Sequence, residues 1–323
     1  MCTSISFLTK DHYFGRTLDM DFSYGENVII TPREYPLKFR MTNELKEHFA
    51  IVGIGILEEE YPLYYDATNE KGLSMAGLNF PTSAVYYDTV NDKNNIGAFE
   101  LIPWILSQCA SVNEARDLLM NTNVVNIDFS DKYKNTPLHW MISDKDYSTT
   151  LECVQEGMQI YYNPVHVLTN NPEFPMQIFN LNNYINLTRE EPETRFAEGF
   201  DLNKYSRGMG ALGLPGDLSS MSRFVRASFT RLNSICGDSE TESVSQFFHI
   251  LDSVSQTQGC VKTENGFEKT IYSSCCNTDK GIYYYKTYNN SQISAVNMFN
   301  EKLDNNRLIT YNFNTEQQFY FHN

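Results

Sequence analysis

Two hydrophobic periods run through this chain, and where each one falls limits the folds open to it. Residues 3–8 alternate roughly between polar and apolar, a turn-like Lys10-Asp11-His12 follows, and 13–18 can return as a second strand, so the chain begins inside a hairpin. Further strand candidates lie at 48–57, 73–78, 138–143, 149–154, 158–162, 270–276 and 282–288. The helical period occupies the middle. Segment 99–108 is apolar on most sides, and Ser111-x-x-Glu114 reads as a capping box ahead of Ala115, Leu118 and Leu119. A further helix is expected over 220–232, and 242–256 places Val244, Phe247, Phe248, Leu251 and Val254 at helical spacing. Strands towards both ends with helices between them predict an α+β protein built in mixed layers. The run from Glu190-Glu191-Pro192-Glu193 to Tyr205 reads as an irregular, exposed excursion, and no repeat or low-complexity tract interrupts the pattern.

Charge narrows the partners. The formal net charge of −15 opposes broad binding to nucleic acid or to an anionic membrane surface, while leaving room for a small anion in a cleft that holds a few arginines. The opening residues lack the apolar core of a signal peptide, and no later segment is long and apolar enough to span a bilayer, so a soluble cytoplasmic protein is expected. Seven scattered cysteines do not form a disulfide framework, none is in a C-x-x-C pair, and the six histidines are dispersed; reduced thiols and no metal are expected.

Four features invite a chemical reading. Gly208, Gly210 and Gly213 spell GxGxxG, but they follow a polar stretch and Pro215-Gly216 cuts off the helix a dinucleotide site needs, so a glycine-rich loop is expected. His139 and His166 sit in apolar surroundings and read as satisfied core residues, because no papain-like signature surrounds any cysteine. Cys275-Cys276 reads as packed thiols in a strand. Cys2 differs: removal of the initiator methionine leaves a thiol and a free α-amine on one residue. These titrate near ~8.5 and ~7.7–8.0, close enough for the amine to act as the thiol's own base. The hairpin would bring Phe14-Gly15-Arg16-Thr17-Leu18-Asp19 back beside Cys2, supplying a cation to favour thiolate and a carboxylate to hold the ammonium.

Several motifs together resemble the choloylglycine hydrolase family of N-terminal nucleophile hydrolases, which comprises bile salt hydrolases and penicillin V acylases. They are Met1-Cys2-Thr3, Phe14-Gly15-Arg16, Asn69-Glu70-Lys71-Gly72-Leu73, Ala76-Gly77-Leu78-Asn79-Phe80, Leu168-Thr169-Asn170-Asn171-Pro172, Gly213-Leu214-Pro215-Gly216-Asp217 and Ser222-Arg223-Phe224-Val225-Arg226. The resemblance covers nearly the whole chain. It implies a four-layer α-β-β-α fold with two packed antiparallel sheets, one domain over residues 1–323, and a cytoplasmic homotetramer in which the excursion near 190–210 reaches a neighbouring subunit. It also implies roles: Cys2 as nucleophile through a thioester, Asn79 and Asn170 as oxyanion donors, and Arg16, Asp19 and Arg223 setting charge and orientation, with no cofactor. Asn170 is preferred over Asn171 and Arg223 over Arg226. Thr17 stands where Asn commonly follows the arginine. Asn79 favours bile salt hydrolases, since penicillin V acylases tend to carry Tyr there; the expected substrates are glycine- or taurine-conjugated bile salts, with another N-acyl amide or a non-catalytic bile-salt binder as alternatives. Met20, Phe22, Tyr24 and Tyr65, with Asn79, are expected to line an apolar cleft for the steroid.

Overall fold

The computed structural model describes residues 1–323. In chain order the strands are β1 (Cys2–Leu8), β2 (His12–Met20), β3 (Asn27–Thr31), β4 (Ile51–Glu58), β5 (Tyr61–Asn69), β6 (Ser74–Asn79), β7 (Asn94–Gly97), β8 (Thr122–Val125), β9 (Leu138–Ser143), β10 (Ser148–Val154), β11 (Gly157–Tyr162), β12 (Val167–Leu168), β13 (Val261–Lys262), β14 (Phe267–Asn277), β15 (Ile282–Thr287), β16 (Asn290–Asn297) and β17 (Ile309–Asn312). The helices are α1 (Leu101–Leu106), α2 (Val112–Met120), α3 (Phe174–Asn180), α4 (Ser220–Asn233) and α5 (Glu240–Asp252).

The N-terminal hairpin forms as its alternation requires, with Cys2 opposite Leu18 and Ser4 opposite Arg16. It is the middle of a seven-stranded antiparallel sheet in the order β12-β1-β2-β14-β15-β16, with β13 added beside β14. A second sheet of eight strands runs β11-β10-β9-β6-β5-β4-β3-β17. Successive side chains on a strand point to opposite faces, so the second sheet divides its apolar residues between two cores. Val28, Ile30, Val52, Ile54, Ala76, Leu78 and Met141 join the core shared with the first sheet. Ile29, Ile51, Met75, Trp140 and Ile142 join the core under α1 and α2. On the outer side of the first sheet lie α4 and α5, which contribute Phe224, Ala227, Phe247 and Leu251. The order of layers is helix, sheet, sheet, helix. Each Val, Leu, Ile, Phe or Met among these stabilises by about 1.5–3 kcal/mol when fully buried, and a one-residue slip of any inner strand would exchange its core set for the opposite face.

The helices depart from expectation in their limits. Segment 99–108 is a 3-10 turn over Ala98–Glu100 followed by the six residues of α1. Pro103 lies in the first turn of α1, where its missing N–H costs nothing. Ser111 caps α2 by accepting from Glu114 N–H, but the Glu114 carboxylate accepts from Ala110 N–H instead of closing the box on Ser111. The complete box belongs to α5, where Ser239 and Glu242 cap each other and start the helix two residues before 242. Residues 190–205 are irregular and largely exposed, and no helix is long and apolar enough to cross a membrane.

Candidate active site

Cys2 opens β1 and is buried. Its backbone nitrogen donates to Asn170 Oδ1 at 2.9 Å. Asn170 is there because β12 pairs with β1, Ser4 opposite Leu168, and Asn170 comes two residues after that strand's last residue. Arg223 reaches the same place from α4: Nη1 donates to Cys2 O (2.5 Å) and Thr3 Oγ1 (2.7 Å), and Nη2 donates to Asn170 Oδ1 (2.8 Å). Burial lowers the Arg223 pKa from its ordinary value, with Asp19, Cys2 and Glu268 acting the other way. Asp217 prepares the helix that presents it, accepting from Ser219 N–H (2.9 Å) and Ser222 Oγ (2.5 Å). Those bonds from Ser219 and Ser222 hold its carboxyl down at about 2.

Arg16 lies on the other face of the first sheet, because Nη1 donates across to Tyr65 O (3.1 Å) and to Gly77 O on the second sheet. Cys2 shares this face by the strand period, since Ser4 opposes Arg16. The guanidinium is fully buried and its Nη2 meets no protein acceptor. Burial opposes its charge, but Cys2, Tyr272, Asp66 and Asp19 outweigh that and raise its pKa. The glycine before it is a packing requirement: a Cβ on Gly15 would stand 2.1 Å from Ser274 O. Thr17, the departure from the family pattern, accepts from Thr3 N–H (3.2 Å) and donates to Asp19 Oδ2 (3.1 Å). The Asp19 carboxylate also accepts from Thr270 Oγ1 at 2.6 Å, and the hydrogen bond of the Cys2 nitrogen goes to Asn170 rather than to it.

Met1 continues the ladder. Its carbonyl accepts from Asp19 N–H (2.9 Å), and its ammonium donates to Asp19 O (2.6 Å) and pairs with Glu268. Burial pushes the Glu268 carboxyl up, while the Met1 ammonium pulls it down.

Asn79 ends β6, and its carbonyl accepts from Asn170 Nδ2 at 2.6 Å. The two residues expected as oxyanion donors are therefore neighbours, although the Asn170 amide is engaged with Asn79 in this form of the chain. Their sequence neighbours point elsewhere: Asn171 Nδ2 donates to Ser83 Oγ (2.9 Å), and Arg226 donates to Ser253 O (2.6 Å) and Pro215 O (2.8 Å).

A cavity of about 570 Å³ opens over Cys2, lined there by Arg16, Asp19 and Asn79. Met20, Tyr24 and Tyr65 are in its wall. Phe22 is not; it is half exposed and packs on the Tyr24 ring, centroids 4.8 Å apart, because β2 ends at Met20 and the alternation that would turn Phe22 inward ends with it. The rest of the wall includes Leu18, Ile56, Leu63, Phe99, Phe129, Tyr133, Pro137, Leu138 and Glu268. Sequence reading missed these. Register would have found two groups of them: Ile56 faces Leu63 across β4 and β5, and Leu138 faces Asn79 across β6 and β9.

The other sequence features carry structure. Gly208, Gly210 and Gly213 form a loop around a short 3-10 turn. His139 pairs with Glu152, and His166 with Ser148, neither with a thiol. Cys275 and Cys276 are buried in β14, where burial pushes the Cys276 thiol up to about 12.

With this geometry, comparison with known proteins is decisive. A family model described as linear amide C–N hydrolases, choloylglycine hydrolase family, matches residues 2–311. The chain belongs to the choloylglycine hydrolase family. A bile salt hydrolase/transferase of Lactiplantibacillus plantarum is 56% identical over 321 residues, 99% of both chains. The crystal structure of the mutant C2A conjugated bile acid hydrolase from Clostridium perfringens superposes with a TM-score of 0.93 at 37% identity, covering 100% of both chains. A penicillin V acylase from Agrobacterium tumefaciens shares the fold, with a TM-score of 0.74 at 20% identity over 96% of this chain and 90% of that one. Motif order, the family model and the full-length relatives agree on the family, and the layer order is the fold they share.

Proposed function

We propose that this chain, once Met1 is removed, hydrolyses the amide bond of glycine- or taurine-conjugated bile salts, releasing free bile acid and the amino acid. The observation that carries the reading is a largely apolar cavity of steroid-compatible size whose floor holds Cys2, with the Cys2 nitrogen and carbonyl both held by Asn170 and Arg223. About 570 Å³ lies within the ~300–1,000 Å³ usual for small-molecule sites.

In the proposed reaction the Cys2 α-amine takes the thiol proton, and sulfur attacks the amide carbon. Asn79 and Asn170 donate to the tetrahedral oxyanion, a contribution on the order of 3 kcal/mol per donor. Collapse breaks the C–N bond as the α-ammonium returns its proton to the leaving amine, leaving a thioester. Water, deprotonated by the same α-amine, then releases the bile acid. Arg16, buried beside Cys2, favours the thiolate; Arg223 orients Asn170; Asp19, with Thr17 and Thr270, shapes the strand on which Met1 is seated. Met20, Tyr24 and Tyr65 form part of the steroid wall. The relative named bile salt hydrolase/transferase supports a second fate for the thioester, transfer of the acyl group to an acceptor other than water.

The same reading includes one domain over 1–323 and a cytoplasmic homotetramer. Phe196, Phe200, Leu202 and Tyr205, all exposed along the excursion, offer apolar surface for subunit contact; light scattering on the purified protein tests it. For the activity, glycocholate, taurocholate and penicillin V are incubated in parallel, with Cys2→Ala as control. Cys2-dependent cleavage of the bile salts, well above that of penicillin V, supports the reading. The reverse preference moves the chain to the acylase branch, and turnover that survives Cys2→Ala removes the mechanism.

A further inference from the structure

We propose that His139 and Glu152 form a buried positioning pair that holds Asn170, and with it Asn79, in the geometry the reaction needs; this rests on the reading of the site given above.

Three of the four backbone polar groups of Asn170 and its predecessor, Thr169, are held by side chains. His139 Nε2 stands 2.9 Å from Thr169 O. Asn170 N–H donates to Ser220 Oγ (2.8 Å), and Asn170 O accepts from Gln177 Nε2 (2.5 Å). Gln177 Oε1 in turn accepts from Thr169 Oγ1 at 2.8 Å. Glu152 links the two sides of this clamp: its Oε1 faces His139 Nδ1 at 3.0 Å, and both its oxygens accept from Phe174 N–H, 3.0 and 3.2 Å, at the start of the helix that carries Gln177. On its other side the His139 ring stacks on Phe80, centroids 4.2 Å apart and planes 6° apart, so it also backs the residue that follows Asn79. His139, Glu152, Thr169, Gln177 and Phe80 are all without solvent exposure.

The proton count follows from the acceptors. A carbonyl only accepts, so Nε2 carries hydrogen; the contact between Nδ1 and the carboxylate then needs a second proton on that axis. The pair is neutral overall, which suits burial. Apolar replacements could fill the space but would leave Thr169 O and Phe174 N–H without partners, so polar groups at these positions make sense only if the backbone between them must stay where it is. Oxyanion donors impose that demand, because displacement by about 1 Å is enough to lose on the order of 10²-fold in rate.

The test uses the processed full-length protein and three variants. His139→Phe keeps the stack on Phe80 and removes the Nε2–H; Glu152→Gln keeps an acceptor for Phe174 N–H and a donor to Nδ1; Gln177→Met releases the clamp from the other side. Steady-state kinetics on glycocholate, the rate of Cys2 alkylation by iodoacetamide, and hydrogen exchange in the peptide 168–173 are measured for each. For His139→Phe we expect kcat to fall on the order of tenfold or more with KM within about twofold. Alkylation of Cys2 stays near the wild-type rate while exchange over 168–173 accelerates, and the conservative Glu152→Gln retains most of both. A folded His139→Phe with unchanged exchange, or with the loss in KM or in alkylation instead of kcat, overturns the proposal. So does a Glu152→Gln as damaged as His139→Phe. If His139→Phe does not fold, Gln177→Met decides by the same measures. A wild-type protein that cleaves no conjugate refutes the functional reading alone, since exchange still reports whether the pair holds the segment.

Discussion

A single additional residue, Met1, should separate an inactive chain from an active one. With Met1 present the Cys2 nitrogen is an amide whose one hydrogen is directed at Asn170 Oδ1, 2.9 Å away, and whose lone pair is delocalised into the Met1 carbonyl. It cannot take the thiol proton. General-base assistance is worth about 10²–10⁴-fold, or roughly 3–5 kcal/mol of barrier, and that is the expected deficit in kcat. Met1 also lines the cavity and is fastened to Asp19 and Glu268, so weaker substrate binding adds to the loss in kcat/KM. The assay is a fusion whose leader is cut off immediately before Cys2 by a site-specific protease. Glycocholate hydrolysis is followed on one preparation before and after the cut, with the N-terminus read by mass spectrometry. Equal rates in both states would refute the assignment of the α-amine as base, whatever the substrate.

Arg223→Leu leaves Cys2 O and Thr3 Oγ1 without their buried donor, at ~1–3 kcal/mol for each unsatisfied group; a fall in melting temperature and at least a tenfold fall in kcat are expected, and unchanged kinetics would exclude Arg223 from the site. Gly15→Ala places a methyl 2.1 Å from Ser274 O and should destabilise by about 1–3 kcal/mol or more in urea titration; a neutral result would mean that β2 and β14 pair less closely than described. Burial holds the His12 imidazole down at about 3 and His166 at about 4, against ~6.5 in an unfolded chain. The unfolded state therefore binds protons that the native state refuses. Stability from these two groups is whole above pH ~6.5 and is lost as pH falls towards the native values, by up to ~1.4 kcal/mol per pH unit for each histidine. Urea midpoints between pH 7 and 5 measure the slope, and His12→Gln should make it shallower; an unaltered slope would assign the acid sensitivity elsewhere.

How far the fold was legible depends on the range of the interactions. The first hairpin, α4, and the strands β9 and β10 lie within a residue or so of where period and propensity place them, because each is decided by its own alternation. β5 is absent from the strand candidates, and its Pro62 and Asp66 are residue types that strands disfavour. The structure seats Pro62 next to the strand's first residue and buries Asp66 between the sheets, where it accepts from Tyr272 Oη (2.6 Å), Ser274 Oγ (2.9 Å) and Tyr283 Oη. Donors some two hundred residues away made that carboxylate tolerable, and no local window contains them. β3, β7, β8, β12, β13, β16 and β17 were missed as well; β17 runs along the edge of the second sheet, and its ladder partner β3 is nearly three hundred residues back. A separation of 221 residues likewise divides Arg223 from Cys2, which is why only motif order, and not spacing, pointed to it.

Sequence alone determined the chemistry on offer: a cysteine at position 2 that removal of Met1 would make the N-terminus, an arginine and a glycine set to return beside it, an acidic chain without metal-ligand spacing, and motifs in the order of one family. Tertiary structure decided which of two adjacent asparagines and which of two nearby arginines meet Cys2, that Phe22 leaves the cavity wall while residues 129–138 enter it, and that His139 and Glu152 lie behind the site. The physical reason is that a residue's type and its strand or helix period are local properties. The face it shares with distant residues is settled only when two sheets and four principal helices close over common cores.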